Sequence, residues 1–160
     1  MIEVRPARLE DDAALVRIDE QTWTPEVSPA PQPPAGTALL GERVPPEDVL
    51  VAELDGAVAG YALLARGFPV PAHAHVLVLN GLAVAPEAGG RGVGRALVEA
   101  AVAEARRRGA RKLTLRVLGP NAVARRLYAR CGFVEEGVLR GEFHLGGRYV
   151  DDVLMARDLR

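Results

Sequence analysis

One stretch of the chain, residues 82–97, limits the possible folds more than any other. It starts as an apolar strand, breaks at Pro86, passes through a loop with glycine at positions 89, 90, 92 and 94, and runs directly into a helix. Glycine allows positive φ angles and lets a ligand approach the main chain without a Cβ in the way. A helix that begins after such a loop points unpaired N–H groups and the positive end of its dipole at the loop. The pattern therefore predicts a phosphate site, to which Arg91 and Arg95 could add charge-assisted hydrogen bonds.

Three interpretations of this loop compete. The first is a glycine-rich connection between strand and helix that binds nothing. A nucleoside-triphosphate loop is the second, but no lysine follows the glycines in the required position. The third is a dinucleotide-binding fingerprint, but residues 90–94 lack the full spacing and no acidic partner for a ribose follows about 20 residues later. The loop alone does not identify its ligand.

Length and composition narrow the class of protein. A chain of 160 residues is large enough for one domain with a real core, so we expect a single domain over residues 1–160. Its formal net charge of −1 argues against nucleic-acid binding driven by bulk charge. A single cysteine, Cys131, excludes an internal disulfide framework and fits a reducing compartment. No targeting signal and no apolar run of about 18 residues is present, so we expect a cytoplasmic protein without a nucleic-acid or membrane partner.

The hydrophobic periodicity predicts seven strands and three helices. We expect strands over residues 2–5, 48–54, 57–66, 75–84, 112–118, 133–140 and 148–159, and helices over about 9–18, 92–108 and 122–131. Asp55-Gly56 is typical of a type I′ hairpin turn, and Gly146-Gly147 indicates a second turn. Gly60 inside a strand indicates a bulge or the close approach of another group.

Residues 22–46 contain seven prolines and cannot form a regular helix. They are either a disordered linker or a long loop that lies over a site. Because the chain is too short for two domains, we favour the loop. Trp23, which lies in it, is expected to pack on the domain surface.

Two further features are typical of helix ends. Asn121 follows a Gly-Pro break and is expected to cap the third helix. Arg106, Arg107 and Arg108 precede Gly109, where a left-handed residue would end the second helix. Such a run could indicate RNA binding, but basic residues at the end of a helix are favoured by its dipole, and we expect a solvated helix end.

The motif VAPEAGGRGVGRAL at residues 84–97 is followed about 25 residues later by NAVARRLYARCGF at residues 121–133. Together they closely resemble the GNAT superfamily of acetyl-CoA-dependent N-acetyltransferases, and the resemblance covers nearly the whole chain. It implies an α/β (α+β) fold with a mixed, mostly antiparallel sheet of about seven strands, flanked by helices. In this fold two central strands splay apart.

The resemblance also implies how acetyl-CoA is bound. The pantetheine arm would lie between the splayed strands and bond to the edge of one of them like an added strand. The pyrophosphate would lie on the loop amides and the helix start, and Asn121 resembles a cofactor-contacting asparagine. The implied cofactor-binding residues are Leu82, Ala83, Val84, Gly89, Gly90, Arg91, Gly92, Val93, Gly94, Arg95, Asn121 and Tyr128.

For catalysis, the resemblance implies that a backbone N–H near Leu82 or Ala83 polarises the acetyl carbonyl. Tyr128 stands where a phenol protonates the departing thiolate, although a core tyrosine with a satisfied hydroxyl remains the alternative. An acceptor amine is mostly protonated at neutral pH, so a general base is needed. We favour Asn80 as the holder of a water molecule, because strand alternation predicts that it shares a face with Val78 and Leu82 and is the one polar group in the interior of that strand. Glu142 and His144 are alternates, and His75 is a further candidate.

Two positions depart from the family pattern. Gly89 stands where glutamine or arginine is usual, so binding there is expected to rest on its backbone N–H, with Arg91 as compensation. In members that acetylate protein N-termini, the strand before Asn121 often carries a glutamate base. Here the matching stretch contains Arg116, which cannot act as a base because its pKa exceeds 12. This departure weakens the case for an N-terminal protein acetyltransferase.

The sequence thus predicts direct transfer of acetyl from acetyl-CoA to a primary amine of a small molecule or amino acid, without an acyl-enzyme. A protein lysine or N-terminal acetyltransferase and a non-catalytic acyl-CoA sensor remain alternatives. His73 and His75 have no identifiable third partner, so we expect no metal site. Cys131 is expected to be a small buried residue. The resemblance is also compatible with a homodimer.

Overall fold

The alternating apolar segments form one seven-stranded sheet, and the computed structural model describes residues 1–160. The strands are β1 (Ile2–Pro6), β2 (Val49–Leu54), β3 (Ala57–Arg66), β4 (Val76–Val84), β5 (Lys112–Leu118), β6 (Val134–Leu145) and β7 (Arg148–Asp158). Their order is β1-β2-β3-β4-β5-β7-β6. Only β4 and β5 are parallel, and every other neighbouring pair is antiparallel. The predicted mixed, mostly antiparallel sheet is confirmed.

Three α-helices cover the sheet: α1 (Asp12–Thr22), α2 (Val93–Arg107) and α3 (Ala122–Arg130). Residues of β2 are buried on both faces of the sheet, as a central strand requires. On one side, called the α1 face, Leu15 packs with Val49, Val51 and Tyr61. On the other side, called the α2 face, the larger core contains apolar residues from both remaining helices. Its members include Leu97, Val98 and Val102 of α2, Tyr128 of α3, and Leu79, Leu113 and Leu115 of the sheet.

Three element boundaries differ from the sequence-based expectation by more than one residue. The first helix continues to Thr22, four residues past the expected end, and begins as a short 3-10 turn over Leu9–Asp11. The sixth strand continues to Leu145 rather than ending at Arg140. This extension is irregular, because its pairing with β7 shifts between Leu139 and Phe143. Glycine and charged residues in this part of the sequence break the alternating apolar pattern, so the sequence does not predict the extension. Pairing with β7 nevertheless keeps these residues extended.

The two predicted hairpin turns are confirmed. Asp55 and Gly56 have φ angles of 51° and 86°, the pair of positive values that a type I′ turn requires. Gly146 and Gly147, between β6 and β7, have φ angles of 57° and 76°.

Gly60 is both next to a bulge and in close contact with its neighbours, as predicted. The register between β2 and β3 shifts after the Ala52–Gly60 pair. A Cβ at Gly60 would lie 2.7 Å from the Ala83 carbonyl oxygen and 3.1 Å from Leu97 Cδ1. Glycine therefore lets α2 approach the sheet at the strand that leads into the glycine loop.

The proline-rich residues 22–46 form an ordered loop attached to α1. Asp12 Oδ1 accepts the backbone N–H groups of Leu39 and Leu40 at 2.9 and 2.7 Å. Glu20 Oε1 accepts the Gly36 N–H at 2.8 Å, and Trp23 Nε1–H donates to the Ala30 carbonyl at 3.1 Å. Leu40 is buried in the cluster on the α1 face. These contacts favour the loop over the linker.

The arginine run is a solvated helix end. Arg107 and Arg108 donate to the Glu104 carboxylate, and Arg108 also bonds to Asp48. Gly109 follows with a φ of 85°. None of the helices is long and apolar enough to span a membrane.

Candidate functional site

The central opening of the sheet lies between β4 and β5. These strands pair at only three positions, the last of which joins Val78 to Thr114. Beyond it β4 continues to Val84 with β3 on one side and no strand on the other. The free edge of β4 includes Leu82, Ala83 and Val84. An extended ligand can bond to such an edge as an added strand.

A β-bulge at Asn80 interrupts β4 beside this opening. Gly81 pairs with Leu63, whereas Leu79 pairs with the next residue, Leu64, so that Asn80 is the extra residue. Bulges often occur next to active sites, where they redirect side chains. The pairing places Leu82 on the α2 face with Leu79, three residues earlier. The prediction that Asn80 shares a face with Leu82 in the strand's interior is therefore wrong, and Asn80 is exposed.

Across the opening from Asn80 lies Arg116 of β5. Each is two residues past the last parallel pair, Val78 and Thr114. Arg116 makes ion pairs with Asp152, which is 3% exposed, and with Glu142 at 3.7 Å. Because Arg116 is held by these two carboxylates, it offsets one of their two negative charges at the edge of the opening.

The glycine loop presents a row of unused backbone donors. The N–H groups of residues 90–95 donate to no acceptor in the protein, and the first bond of α2 runs from Ala96 N–H to the Gly92 carbonyl at 3.0 Å. Gly90 and Gly92 have φ angles of 74° and 87°, which allow this turn. Six free N–H groups at the positive end of a 15-residue helix can receive a diphosphate.

Gly89 differs from the expectation. Its φ is −61°, and its N–H donates to the Pro86 carbonyl at 3.2 Å, which closes the 3-10 turn over Pro86–Ala88. The prediction that binding rests on the Gly89 N–H is therefore wrong for this conformation, because that donor is already used. The donors available to a ligand begin at Gly90.

The two arginines of the loop differ in their partners. Arg91 lies 3.6 Å from Asp55, whose other oxygen accepts from the N-terminal ammonium group at 2.7 Å. Arg95 is exposed on α2 and makes no ion pair. Arg95 is thus free to meet an anion, whereas Arg91 must first leave Asp55.

Tyr128 is buried in the core on the α2 face, with its ring centroid 6.0 Å from that of Phe133. Burial raises the pKa of Tyr128 to about 12. Its hydroxyl has no hydrogen-bond partner in the protein. Every fully buried side-chain polar atom has such a partner, so the Tyr128 hydroxyl oxygen is not fully buried and retains access to solvent. A protonated phenol whose hydroxyl is free can donate a proton to a ligand.

Asn121 caps α3 as predicted, since its Oδ1 accepts the Ala124 N–H at 3.2 Å. Its side-chain NH₂ group donates to no protein acceptor and remains available to a ligand. Cys131 is 2% exposed, and burial raises the pKa of its thiol. A buried, protonated thiol is a poor nucleophile.

The structure does not bring all the candidate bases together. His144 lies past the end of β5, where its ring stacks on Tyr149 at a centroid distance of 4.5 Å. His75 precedes β4, at the end of that strand farthest from the glycine loop. Only Asn80 and Glu142 lie beside the opening. No group of three or more histidine, cysteine or acidic side chains is arranged to hold a metal ion.

A carboxylate that the sequence analysis did not single out lies on the α1 face, bonded to a residue of β3 that neighbours β4. Asp19 Oδ1 accepts a hydrogen bond of 2.5 Å from the hydroxyl of Tyr61, which pairs with Ala83 on β4. The signal was available: Asp12 and Asp19 are seven residues apart, so both lie on the helical face that also contains Leu15. An acidic residue on the core-facing side of a helix needs a partner.

Comparison with known proteins identifies this arrangement. A family model described as "Acetyltransferase (GNAT) family" matches residues 13–133. The chain belongs to this family. It is also 36% identical over 141 aligned residues to the phosphinothricin N-acetyltransferase of Alcaligenes faecalis, covering 78% of this chain and 71% of that relative. The family expected from the two motifs is thus confirmed, and the chain is a member of the GNAT acetyltransferases.

Two solved structures agree with this assignment. A GCN5-related N-acetyltransferase from Kribbella flavida has a TM-score of 0.82 at 29% identity, and the alignment covers 98% of this chain and 97% of that chain. A phosphinothricin acetyltransferase from Sinorhizobium meliloti, solved in complex with AcCoA, has a TM-score of 0.82. The alignment covers 98% of this chain and 88% of that chain. At 22% identity, the second shows a shared fold.

Proposed function

We propose that this GNAT acetyltransferase transfers acetyl from acetyl-CoA directly to the primary amine of a small molecule, with an amino acid as the favoured class. The observation that carries the proposal is the continuity between the free edge of β4 and the six unused N–H groups of residues 90–95. A ligand with an extended amide arm and a diphosphate matches both parts.

Binding would divide between these two surfaces. The backbone groups of Leu82, Ala83 and Val84 would bond to the pantetheine arm. The amides of Gly90, Arg91, Gly92, Val93, Gly94 and Arg95 would bind the pyrophosphate, with Asn121 as a further donor. Gly89 would shape the turn rather than donate.

Each proposed catalytic residue has a separate task. A backbone N–H of Leu82 or Ala83 would hold the acetyl carbonyl oxygen as negative charge develops on it. Tyr128 would give its proton to the sulfur that leaves with the C–S electron pair. Asn80, exposed at the bulge, would position the acceptor or a water molecule. Glu142 is paired with Arg116, and His144 lies past the end of β5. Cys131, as a buried protonated thiol, gives no support to an acyl-enzyme.

Two observations support a small acceptor. The 36%-identical relative bears the name of an enzyme that acetylates phosphinothricin, a small amine. The ordered loop of residues 22–46 is attached to α1, and in this position it would limit the size of an acceptor that reaches the sheet from the α1 face.

A thiol-release assay with a panel of acceptors tests the proposal. The purified protein is mixed with acetyl-CoA and, separately, amino acids, polyamines, aminoglycosides and peptides with free N-termini or lysines. We expect CoA release with at least one small amine and little with peptides. Turnover with peptides alone would indicate a protein acetyltransferase. Tight acetyl-CoA binding without turnover on any acceptor would indicate a sensor.

A further inference from the structure

A buried carboxylate–phenol pair lies on the α1 face of the sheet. The Tyr61 hydroxyl donates to Asp19 Oδ1 at 2.5 Å, and Tyr61 is only 6% exposed. Asp19 Oδ2 has no partner in the protein, and because no fully buried polar atom is unpartnered, this oxygen faces solvent. The pair therefore joins a buried hydroxyl to a carboxylate oxygen that water can reach.

This pair lies next to β4, the strand that borders the opening, because α1 packs against both β3 and β4. Tyr61 pairs with Ala83 across β3 and β4. A Cβ at Gly81 would lie 3.8 Å from Tyr61 Cε2, so the Tyr61 ring extends along β4 toward the bulge. The Tyr61 ring thus lies between the Asp19 carboxylate and β4. The opposite edge of β4, away from β3, is the free edge.

The charge around Asp19 is uncompensated. Burial raises the pKa of Asp19, and the only opposing effect is the hydrogen bond from Tyr61. The elements that α1 packs against bring no cation to it. The only charged residue of β3 is Arg66, five residues beyond Tyr61 at the end of that strand, and β4 carries none. The 3-10 turn before α1 carries Glu10 and Asp11, and the turn after β4 carries the exposed Glu87. On α1 itself, Arg17 makes no ion pair and Glu20 is bonded to the loop. An unpaired carboxylate in a partly buried position is costly for stability, and such groups are concentrated at functional sites.

We propose that Asp19, oriented by Tyr61, is the proton acceptor for the ammonium group of the acceptor. This inference rests on the proposed function. The ammonium group gives one proton to Asp19, directly or through one water molecule. The neutral nitrogen then forms the C–N bond with the acetyl carbon, and the C–S bond breaks with its electron pair on sulfur. Sulfur takes a proton from Tyr128, and the second proton lost by nitrogen goes to solvent, from which Tyr128 is reprotonated.

The other candidates are less suited to this step. Glu142 is already engaged in an ion pair with the Arg116 guanidinium at 3.7 Å. Asn80 has no basic group. His144 is stacked on Tyr149 beyond the end of β5.

The test compares Asp19→Asn with the wild type over a pH series. Asparagine keeps an oxygen for the Tyr61 hydroxyl, so the fold should persist. We expect kcat/KM at neutral pH to fall about 100-fold, with an unchanged dissociation constant for acetyl-CoA. The rate of the variant should rise about tenfold per pH unit and approach the wild-type rate above the pKa of the acceptor, because only acceptor that is already neutral reacts. Glu10→Gln is the matched control, because Glu10 is an exposed carboxylate without an ion pair in the 3-10 turn that precedes the same helix, and it should keep the wild-type profile.

Tyr61→Phe provides an independent measurement. The hydrogen bond from Tyr61 lowers the pKa of Asp19, so its removal should move the acid limb of the wild-type profile to higher pH. An unshifted limb would overturn the proposal, as would an Asp19→Asn rate equal to wild type or reduced by the same factor at every pH. Those results require a wild type that turns over. A wild type that binds acetyl-CoA and acetylates no amine would instead refute the proposed function.

Discussion

Replacement of Tyr128 by phenylalanine separates its chemical role from its packing role. The ring is buried against Phe133, and the hydroxyl has no protein partner. Removing an unpartnered hydroxyl breaks no hydrogen bond and leaves the packing of the ring intact. We therefore expect the free energy of unfolding to change by less than about 0.5 kcal/mol, which is the range of neutral substitutions.

The effect on catalysis should be much larger. A positioned general acid contributes about 10²–10⁴-fold, and a water molecule that reaches the same place recovers part of it. We expect kcat to fall about tenfold or more, with an unchanged dissociation constant for acetyl-CoA. The assay is CoA thiol release at saturating acetyl-CoA, with calorimetric titration for binding and urea unfolding for stability. Tyr149→Phe, on the exposed β6–β7 hairpin, is the matched control and should keep wild-type kcat.

The pH dependence follows from the position of Tyr128. Because burial raises its pKa to about 12, the phenol stays protonated throughout the range in which the protein is assayed. The wild type should therefore show no loss of kcat up to about pH 10. An unchanged kcat in Tyr128→Phe would remove this residue from the mechanism. A large loss of stability would show instead that its hydroxyl has a structural role.

Three further perturbations test the fold around the site. Asp55→Asn frees Arg91 from an exposed ion pair and should tighten CoA binding slightly, by no more than about fivefold in a titration; weaker binding would contradict this expectation. Gly60→Ala places a Cβ 2.7 Å from the Ala83 carbonyl, so it should cost about 1–3 kcal/mol in urea unfolding and weaken acetyl-CoA binding, whereas Gly41→Ala, in open space, should change neither. Hydrogen bonds from Arg107 and Arg108 lower the pKa of Glu104 from 4.5 to about 2, so this carboxylate stabilises the fold above about pH 4.5 and loses that effect as pH falls toward 2. Glu104→Gln should therefore cost about 1 kcal/mol at pH 7 and less at pH 3, and a cost that is the same at both pH values would refute the assignment.

Local patterns in the sequence predict most of the fold. Alternating apolar residues mark the strands, and Asp55-Gly56 and Gly146-Gly147 have the chemistry that their turns require. The glycine loop indicates a phosphate site because glycine spacing and a helix start are both local features. The two motifs together then indicate the family.

The details that a local pattern cannot predict are those set by contacts between distant residues. The bulge at Asn80 depends on the register with β3, so the strand alone suggests an alternation that the fold does not keep. The hydrogen bond between Asp19 and Tyr61 joins residues 42 positions apart in the sequence. Similarly, Arg116 of β5 bonds to Asp152 of the neighbouring strand β7. Likewise, the Gly89 N–H is occupied because Pro86 begins a 3-10 turn, which glycine spacing does not reveal.

Direct transfer of acetyl from acetyl-CoA to the amine is tested by a single-turnover experiment that follows both products and the protein. Enzyme in excess is mixed with acetyl-CoA alone and then with an acceptor amine identified by the panel, and the protein, CoA and amine are analysed by mass spectrometry. Direct transfer predicts that the protein mass stays unchanged without acceptor. Once the acceptor is added, free CoA and N-acetylated amine should form in equal amounts. A protein that gains one acetyl group before the acceptor is added, or CoA released without acetylated amine, would contradict direct transfer.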